Sequence, residues 1–161
     1  MESPEQTLTR LVAAHQRPLL RLCCVVLRDA ALAEDAVQET FLKAYRSLSG
    51  FRQEASEKTW LTAIALNVCR DMRKSAWWRH ATQSLPLDTL PLPAPERDGD
   101  AFALGQAIAR LPGKYRDAVL LYYYQDMTLT EAAKVLNTSP ATLSKRLARA
   151  RDMLHREVTQ A

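Results

Sequence analysis

Glycine is scarce in this chain, with four in 161 residues. Sustained period-two alternation is missing as well, and the two absences together argue against a sheet protein. No apolar run approaches the ~20 residues that a bilayer span requires. The aliphatic stretch LCCVVL at residues 22–27 amounts to a turn and a half of helix. The polar N-terminal segment carries Glu2 and Glu5 and has none of the marks of a secretory leader, so a cytoplasmic protein without membrane insertion is expected. Cys23, Cys24 and Cys69 are odd in number, show no CxxC spacing and have no histidine nearby. They read as buried thiols, not metal ligands or a disulfide. His15, His80 and His155 are scattered singly, so neither a metal site nor a nucleophile–base arrangement is in view. No cofactor and no enzymatic activity are expected.

What the chain does contain is helix punctuation. Net charge is +4, with a pI near 9.1, and the basic excess gathers toward the C-terminus. There the segment TLTEAAKVLNTSPATLSKRLARAR, residues 128–151, spells two helices around a tight turn. Thr128 and Glu131 have capping-box spacing, which starts a helix over residues 129–136. Asn137 suits the left-handed conformation that closes it. Ser139 is a second N-cap, with Pro140 at the first helical position, where a missing N–H costs nothing. Two helices at that separation, the second one basic, form a helix-turn-helix and point to the DNA major groove.

The second helix divides its residues by face. Leu143, Leu147, Ala150, Leu154 and Val158 follow the spacing of a buried stripe. Thr142, Lys145, Arg149 and Arg156 fall opposite, with Arg146 at the boundary. Residues 138–156 hold five Lys or Arg against one acid, Asp152, a bias that suits phosphates. An ordinary bundle helix with solvated cations is the blander alternative, and it leaves the paired caps and the turn without a purpose.

Residues 80–100 form the obvious break, holding four of the chain's eight prolines and the acids Asp88, Glu96, Asp98 and Asp100. Such density favours an extended tether over helix or strand. Three helices are expected before it. The first covers residues 7–27, with Pro18 removing one donor, and the second follows Asp29 to about residue 48. The third spans residues 59–78, with Trp60, Ile64, Val68 (or Asn67) and Met72 turned inward. Adjacent Trp77 and Trp78 cannot both face one core. After the tether, Asp100 caps a helix ending near Leu111. A break at Pro112 and Gly113 follows, then a helix over residues 114–124 and the two-helix motif. The expected fold is all-α: a three-helix bundle at residues 7–79, a Pro-rich acidic linker at 80–100, and a four-helix domain with the helix-turn-helix at 101–158.

Two motif sets carry a resemblance. In the first half they are AEDAVQETF at residues 33–41, Phe51, TWL at 59–61 and IALNVCRD at 64–71. In the second they are Leu111-Pro112, Tyr115-Arg116, AVLL at 118–121, EAA at 131–133 and TLSKRLARAR at 142–151. In that order, over nearly the whole chain, they resemble the extracytoplasmic-function (ECF) group of sigma-70 RNA polymerase initiation factors. The resemblance implies docking to core RNA polymerase, through the clamp helices of its largest subunit and its flap. It also implies promoter DNA as a second partner and an anti-sigma factor, often membrane-bound, as a third, in a stress or envelope response. Onto this sequence it carries Glu34, Asp35, Gln38 and Glu39 as the polymerase-docking face, although a solvated helix face would look similar. Phe51, Asn67, Arg70, Arg73 and Lys74 become the −10 contacts, the loop at 51–58 holding an unstacked base and Asn67 offering donor and acceptor. Thr142, Ser144, Lys145, Ala148 and Arg149 become the −35 contacts. Ala141 and the Ser144-Lys145 order depart from the commoner pattern, which leaves the preferred −35 sequence open. The rival is a stand-alone repressor with a dimerising N-terminal bundle, for which no long heptad seam is visible.

Overall fold

The computed structural model describes residues 1–51, 56–75 and 99–160. Among these residues there are seven α-helices and no strand. The chain divides into two compact units, residues 1–85 and 86–161, each with its own packing. The tether at residues 80–98 and the tryptophan pair Trp77 and Trp78 lie outside the described residues.

The first unit is built on α1 (Pro4–Leu27), α2 (Ala30–Arg46) and α3 (Glu57–Arg73). Helix α1 begins three residues earlier than the sequence suggests, because Ser3 and Gln6 form a reciprocal capping box. Ser3 Oγ accepts from the Gln6 amide at 3.1 Å, and Gln6 Oε1 accepts from the Ser3 amide at 2.9 Å. The helix runs through Pro18 and closes at Arg28, which takes a left-handed φ of 57° and donates its N–H to the Cys24 carbonyl at 2.8 Å. Asp29 then caps α2 as expected, its carboxylate accepting from the Leu32 amide at 2.9 Å. Helix α2 stops at Arg46 and gives way to a 3₁₀ turn at Leu48–Gly50.

All three helices pack against one another. Leu22 through Leu27 are buried without interruption, so the end of α1 passes through the centre of the unit. Ala33, Ala36 and Ala44 on α2, and Ala65 and Cys69 on α3, are fully enclosed, and small side chains at these points let the helices approach closely. The buried face of α3 keeps Val68 from the expected stripe and is otherwise shifted. Leu61, Thr62, Ala65, Leu66, Val68 and Cys69 are buried, whereas Trp60, Ile64 and Met72 are only partly covered. Helix α3 meets both α1 and α2, and two neighbours demand a broad apolar face centred one residue further on. All three cysteines are buried thiols. Burial pushes the Cys24 thiol up to about 11, while the thiol of Cys69 hydrogen-bonded to Cys23 raises the latter further. Raised thiols of this kind are poor nucleophiles.

The second unit contains α4 (Gly99–Arg110), α5 (Gly113–Val119), α6 (Leu129–Val135) and α7 (Pro140–Gln160). Helix α4 starts at Gly99, so Asp100 lies within its first turn instead of preceding it. Helix α5 does not continue regularly to Tyr124. Its last turn, Leu120–Tyr124, is π-helical, closed by the Gln125 amide donating to the Leu120 carbonyl at 3.0 Å. The widened turn keeps Leu120 and Leu121 buried and brings Tyr123 to the surface, where its hydroxyl accepts from Arg151 Nη1 at 2.7 Å. Arg116 and Asp117, both buried, pair with each other, Nε to Oδ1 at 3.1 Å. The core is completed by Ile108, Leu111, Ala132, Ala133, Leu143, Leu147 and Ala150.

A charged clamp ties α1 to the start of α3. Arg10 donates to both oxygens of Glu57, at 2.9 and 2.8 Å, and its Nε reaches Glu2 at 3.2 Å. Hydrogen bonding from Arg10 holds the Glu57 carboxyl below its ordinary 4.5. A carboxyl with a depressed folded pKa stabilises the fold above its unfolded value and loses that contribution as the pH falls through the folded one. Arg10→Ala is therefore expected to lower the urea midpoint at pH 7, with the gap to the parent narrowing as the pH drops below about 4.5. Urea titrations across pH 3–7 check this, and a gap independent of pH would contradict it.

Candidate nucleic-acid interfaces

The helix-turn-helix forms as its sequence dictates. Thr128 Oγ1 accepts from the Glu131 amide at 3.1 Å, and Glu131 returns a bond to the Thr128 amide at 3.2 Å. Helix α6 ends at Val135, and Asn137 takes a φ of 57°. Ser139 Oγ then accepts from the Thr142 amide at 3.1 Å and donates to the Thr142 hydroxyl at 3.0 Å. Each of the bonds from an amide satisfies an N–H that a helix start would otherwise leave open.

Burial of Leu143, Leu147 and Ala150 against the other helices fixes the rotation of α7 about its axis. Thr142, Ser144, Lys145, Ala148 and Arg149 are consequently all exposed, and Arg146 is half-buried at the boundary. Thr142, Lys145 and Arg149 stand at i, i+3 and i+7, one above another on the face opposite the core. Among the described residues neither Lys145 nor Arg149 enters an ion pair, whereas Arg110 is bound to Glu157 at 2.9 Å. The early part of α7 thus presents cations outward, and its later part supplies the carboxylate of Glu157 to Arg110 on α4.

In the first unit the structure brings together a second site, only part of which the sequence revealed. Phe51 lies parallel to Trp60, with ring centroids 4.4 Å apart and planes at 9°. This stack joins the two ends of the segment 52–55, which itself lies outside the described residues. Trp60, Ile64 and Asn67 follow i, i+4, i+7 spacing along α3. Ile64 and Asn67, two positions of the stripe that pattern reading turned inward, instead line an open pocket of about 290 Å³ together with Lys43, Arg46 and Ser47. Asn67 is exposed, and its Oδ1 accepts from Arg70 Nη1 at 3.3 Å. Lys74 sits exposed at the C-cap of α3, and Arg73 is half-covered beside it. Lys43, Arg46 and Ser47 escaped the sequence reading. Their i, i+3, i+4 spacing marks one side of the helix, but only the packing of α2 on α3 shows what that side faces.

Glu34, Asp35 and Gln38 are exposed and Glu39 is half-covered. Leu42, an exposed leucine, continues the row 35, 38, 39, 42 and adds an apolar contact to the acidic face. No helix among the described residues is long and apolar enough to cross a membrane.

A cationic reading helix in one unit, with a cationic pocket and an acidic face in the other, defines a two-domain helical DNA-docking factor. Sequence families name it more closely. Sigma-70 region 2 matches residues 11–79, and Sigma-70, region 4 matches residues 101–154. The ECF RNA polymerase sigma factor SigM of Mycobacterium tuberculosis is 33% identical over 150 residues, covering 91% of this chain and 74% of that protein. The RNA polymerase sigma-H factor of Pseudomonas aeruginosa is 30% identical over 158, covering 89% and 82%. A probable sigma factor of Xanthomonas campestris, RfaY, is 31% identical, and the chain spans only 41% of its length. Among solved structures, CnrH in complex with the cytosolic domain of CnrY shares the fold with a TM-score of 0.73 at 24% identity, covering 97% of this chain and 90% of that one. RpoE of Bartonella quintana, bound to the anti-sigma factor NepR, does so with a TM-score of 0.74 at 23%, covering 96% of each. The chain belongs to the ECF sigma factors of the sigma-70 family.

The left-handed residue at the turn gives a test of the motif. Asn137→Gly is expected to leave stability within a few tenths of a kcal/mol, because glycine adopts positive φ without strain. Asn137→Val should cost about 1–2 kcal/mol, since a Cβ branch crowds the carbonyl there. Chemical denaturation of the two variants checks this; equal effects would mean the turn is not left-handed in solution.

Proposed function

We propose that this chain binds core RNA polymerase and directs it to a particular set of promoters. The observation that carries the reading is the presence, on one chain, of two separate cationic surfaces with different shapes. A convex helix face suits the major groove of intact duplex, whose base edges are open to it. A pocket suits an unstacked base, whose edge is hidden while the duplex is closed. A factor that only had to find DNA would need the first alone.

In this reading residues 101–158 take the −35 element. Lys145 and Arg149 reach the groove, Thr142 lies by a phosphate, and Ser144 and Ala148 flank them. Residues 7–79 take the −10 element and polymerase. Phe51 and the loop after it, with Asn67, hold the displaced base, while Arg70, Arg73 and Lys74 follow the backbone and Lys43, Arg46 and Ser47 complete the pocket. Glu34, Asp35, Gln38, Glu39 and Leu42 dock on the clamp helices of the polymerase's largest subunit, where carboxylates orient a basic partner and the leucine adds apolar area. The residues at 80–100 connect the two, and the flap of the polymerase takes the second unit. The chemistry of initiation belongs to the polymerase, and the chain itself is not an enzyme. It works in the cytoplasm, in a stress or envelope response. An anti-sigma protein belongs to the proposal because RpoE of Bartonella quintana, which shares the fold, was solved with an anti-sigma factor bound.

The test is transcription in vitro with core polymerase on fragmented genomic DNA, mapping the starts. Discrete starts beneath a shared two-part upstream motif are expected. Their absence, together with dimeric binding to a palindrome, would transfer the chain to the repressor class. On such a promoter, alanine at Arg149 should cost about tenfold in binding if the side chain reaches a base. Alanine at a phosphate-contacting cation should instead lower the log–log salt slope by about one.

A further inference from the structure

Helix α1 carries a row of arginines that neither of the two cationic surfaces uses. Between residues 6 and 28 the chain holds four arginines, Arg10, Arg17, Arg21 and Arg28, and no acid. The other two helices of the unit are mixed. On α2, Glu34, Asp35 and Glu39 stand against Lys43 and Arg46, and on α3, Glu57 and Asp71 stand against Lys58, Arg70 and Arg73. A helix face that meets only solvent usually carries both signs, because opposite charges at i, i+4 attract and like charges repel. Arg17 and Arg21 are a like-charged i, i+4 pair, and an anion laid across both relieves their repulsion.

At about 100° per residue, Arg10, Arg17 and Arg21 fall within about 40° of one another around α1. Arg10 is neutralised by Glu57 and Glu2. Arg17 and Arg21 are exposed, and among the described residues neither enters an ion pair, with Glu34 and Asp35 on the adjoining α2 or with any other acid. Ala13, Ala14 and Gln16, also exposed, add no charge to this part of the helix. Contacts between helices fix where the row leads. Arg10 meets Glu57 and Cys23 meets Cys69, so α1 and α3 run in the same direction. Arg21 therefore lies toward the same end of the unit as Arg70, Arg73 and Lys74.

We propose that Arg17 and Arg21 form a second, sequence-independent phosphate track, which holds the DNA backbone next to the stretch followed by α3. The inference rests on the reading of the chain as a promoter-directing factor and adds a contact surface to it. Phosphate is the partner that fits. The two arginines are about 6 Å apart along the helix axis, and each offers a planar fork of donors. Helix α1 exposes no large apolar side chain on which a protein partner would seat. Contacts of this kind position DNA without reading its sequence.

The experiment uses the full chain with core polymerase, on promoters from which the parent holoenzyme initiates, and measures the log–log salt dependence of promoter binding. Arg17→Gln combined with Arg21→Gln should lower that slope by about two, since each phosphate contact contributes about 0.9. The loss should be equal on promoters of different −10 sequence. Arg17→Lys combined with Arg21→Lys keeps both charges and should keep the slope. Affinity for core polymerase, titrated in parallel, should be unchanged in both proteins. A slope that the glutamine pair leaves unaltered, with core affinity intact, means a solvated face and overturns the proposal. A fall in core affinity at unaltered slope assigns the face to the polymerase and overturns it equally. A loss that differs between promoter sequences marks a base contact and rejects the phosphate track. Should the double variant melt below the assay temperature, Arg17→Gln and Arg21→Gln singly decide, each with an expected fall of about one. A parent holoenzyme that starts at no promoter removes the promoter-directing reading, and this inference with it, before any variant is compared.

Discussion

A helix start leaves N–H groups that the helix itself cannot satisfy, and this chain answers the problem with a side-chain oxygen at both functional surfaces. Ser3, Asp29, Ser56, Thr128 and Ser139 each accept a bond from an amide of the first turn. The caps do more than stabilise by roughly 1 kcal/mol apiece. A cap fixes the residue at which a helix begins, and the buried stripe then fixes its rotation. Together they determine which side chains emerge and where. Ser139 sets the start of α7, so that Lys145 and Arg149 come out opposite Leu143, Leu147 and Ala150. Ser56 sets the start of α3 directly after the segment that Phe51 and Trp60 bracket, so that Ile64 and Asn67 reach the pocket. A slip of one residue at either cap would turn each site by about 100° about its helix axis.

The same logic explains how cations are distributed. A long basic side chain is useful to a nucleic acid only if no carboxylate has already claimed it. Arg10, Arg110 and Arg116 are all committed to acids, at Glu57, Glu157 and Asp117; the first two pairs tie one helix to another, and the third lies within α5. Lys145 and Arg149, by contrast, are left facing outward on α7. The buried Arg116–Asp117 pair shows the cost of the alternative, since removing one partner would strand a charge in a poorly solvated place, typically at 3–5 kcal/mol. Cations committed to the fold and cations left available are therefore separable by their partners, although the sequence alone does not distinguish them.

Where a site lies within one helix and its flanks, the sequence carried it. Thr128 with Glu131, Asn137, and Ser139 with Pro140 are local signals, and each occupies the position their spacing implied. The all-α fold and the face of α7 follow from the same short-range rules. The pocket was harder to see because it depends on contact between helices. Trp60, Ile64 and Asn67 share a stripe, and an apolar stripe on an amphipathic helix normally marks the core. Helix α3 has two partners and buries its other side, which no pattern within residues 57–73 reveals. Lys43, Arg46 and Ser47 became visible only with the packing of α2 against that stripe. The π-helical turn at Leu120–Tyr124 was likewise hidden, since its run of consecutive apolar residues suits a regular buried helix equally well.

The central claim is that one chain reads a promoter twice, as duplex with α7 and as separated strand with the pocket. It is tested most directly by placing a photo-crosslinking amino acid at position 145 or at position 47 and assembling each protein with core polymerase on a single promoter. The account predicts that position 145 crosslinks to an upstream duplex element whether or not the DNA has opened. Position 47 should crosslink to one base of the non-template strand further downstream, and only once the strands have separated. Crosslinks from both positions to the same stretch of closed duplex, or none to DNA from position 47, would contradict it.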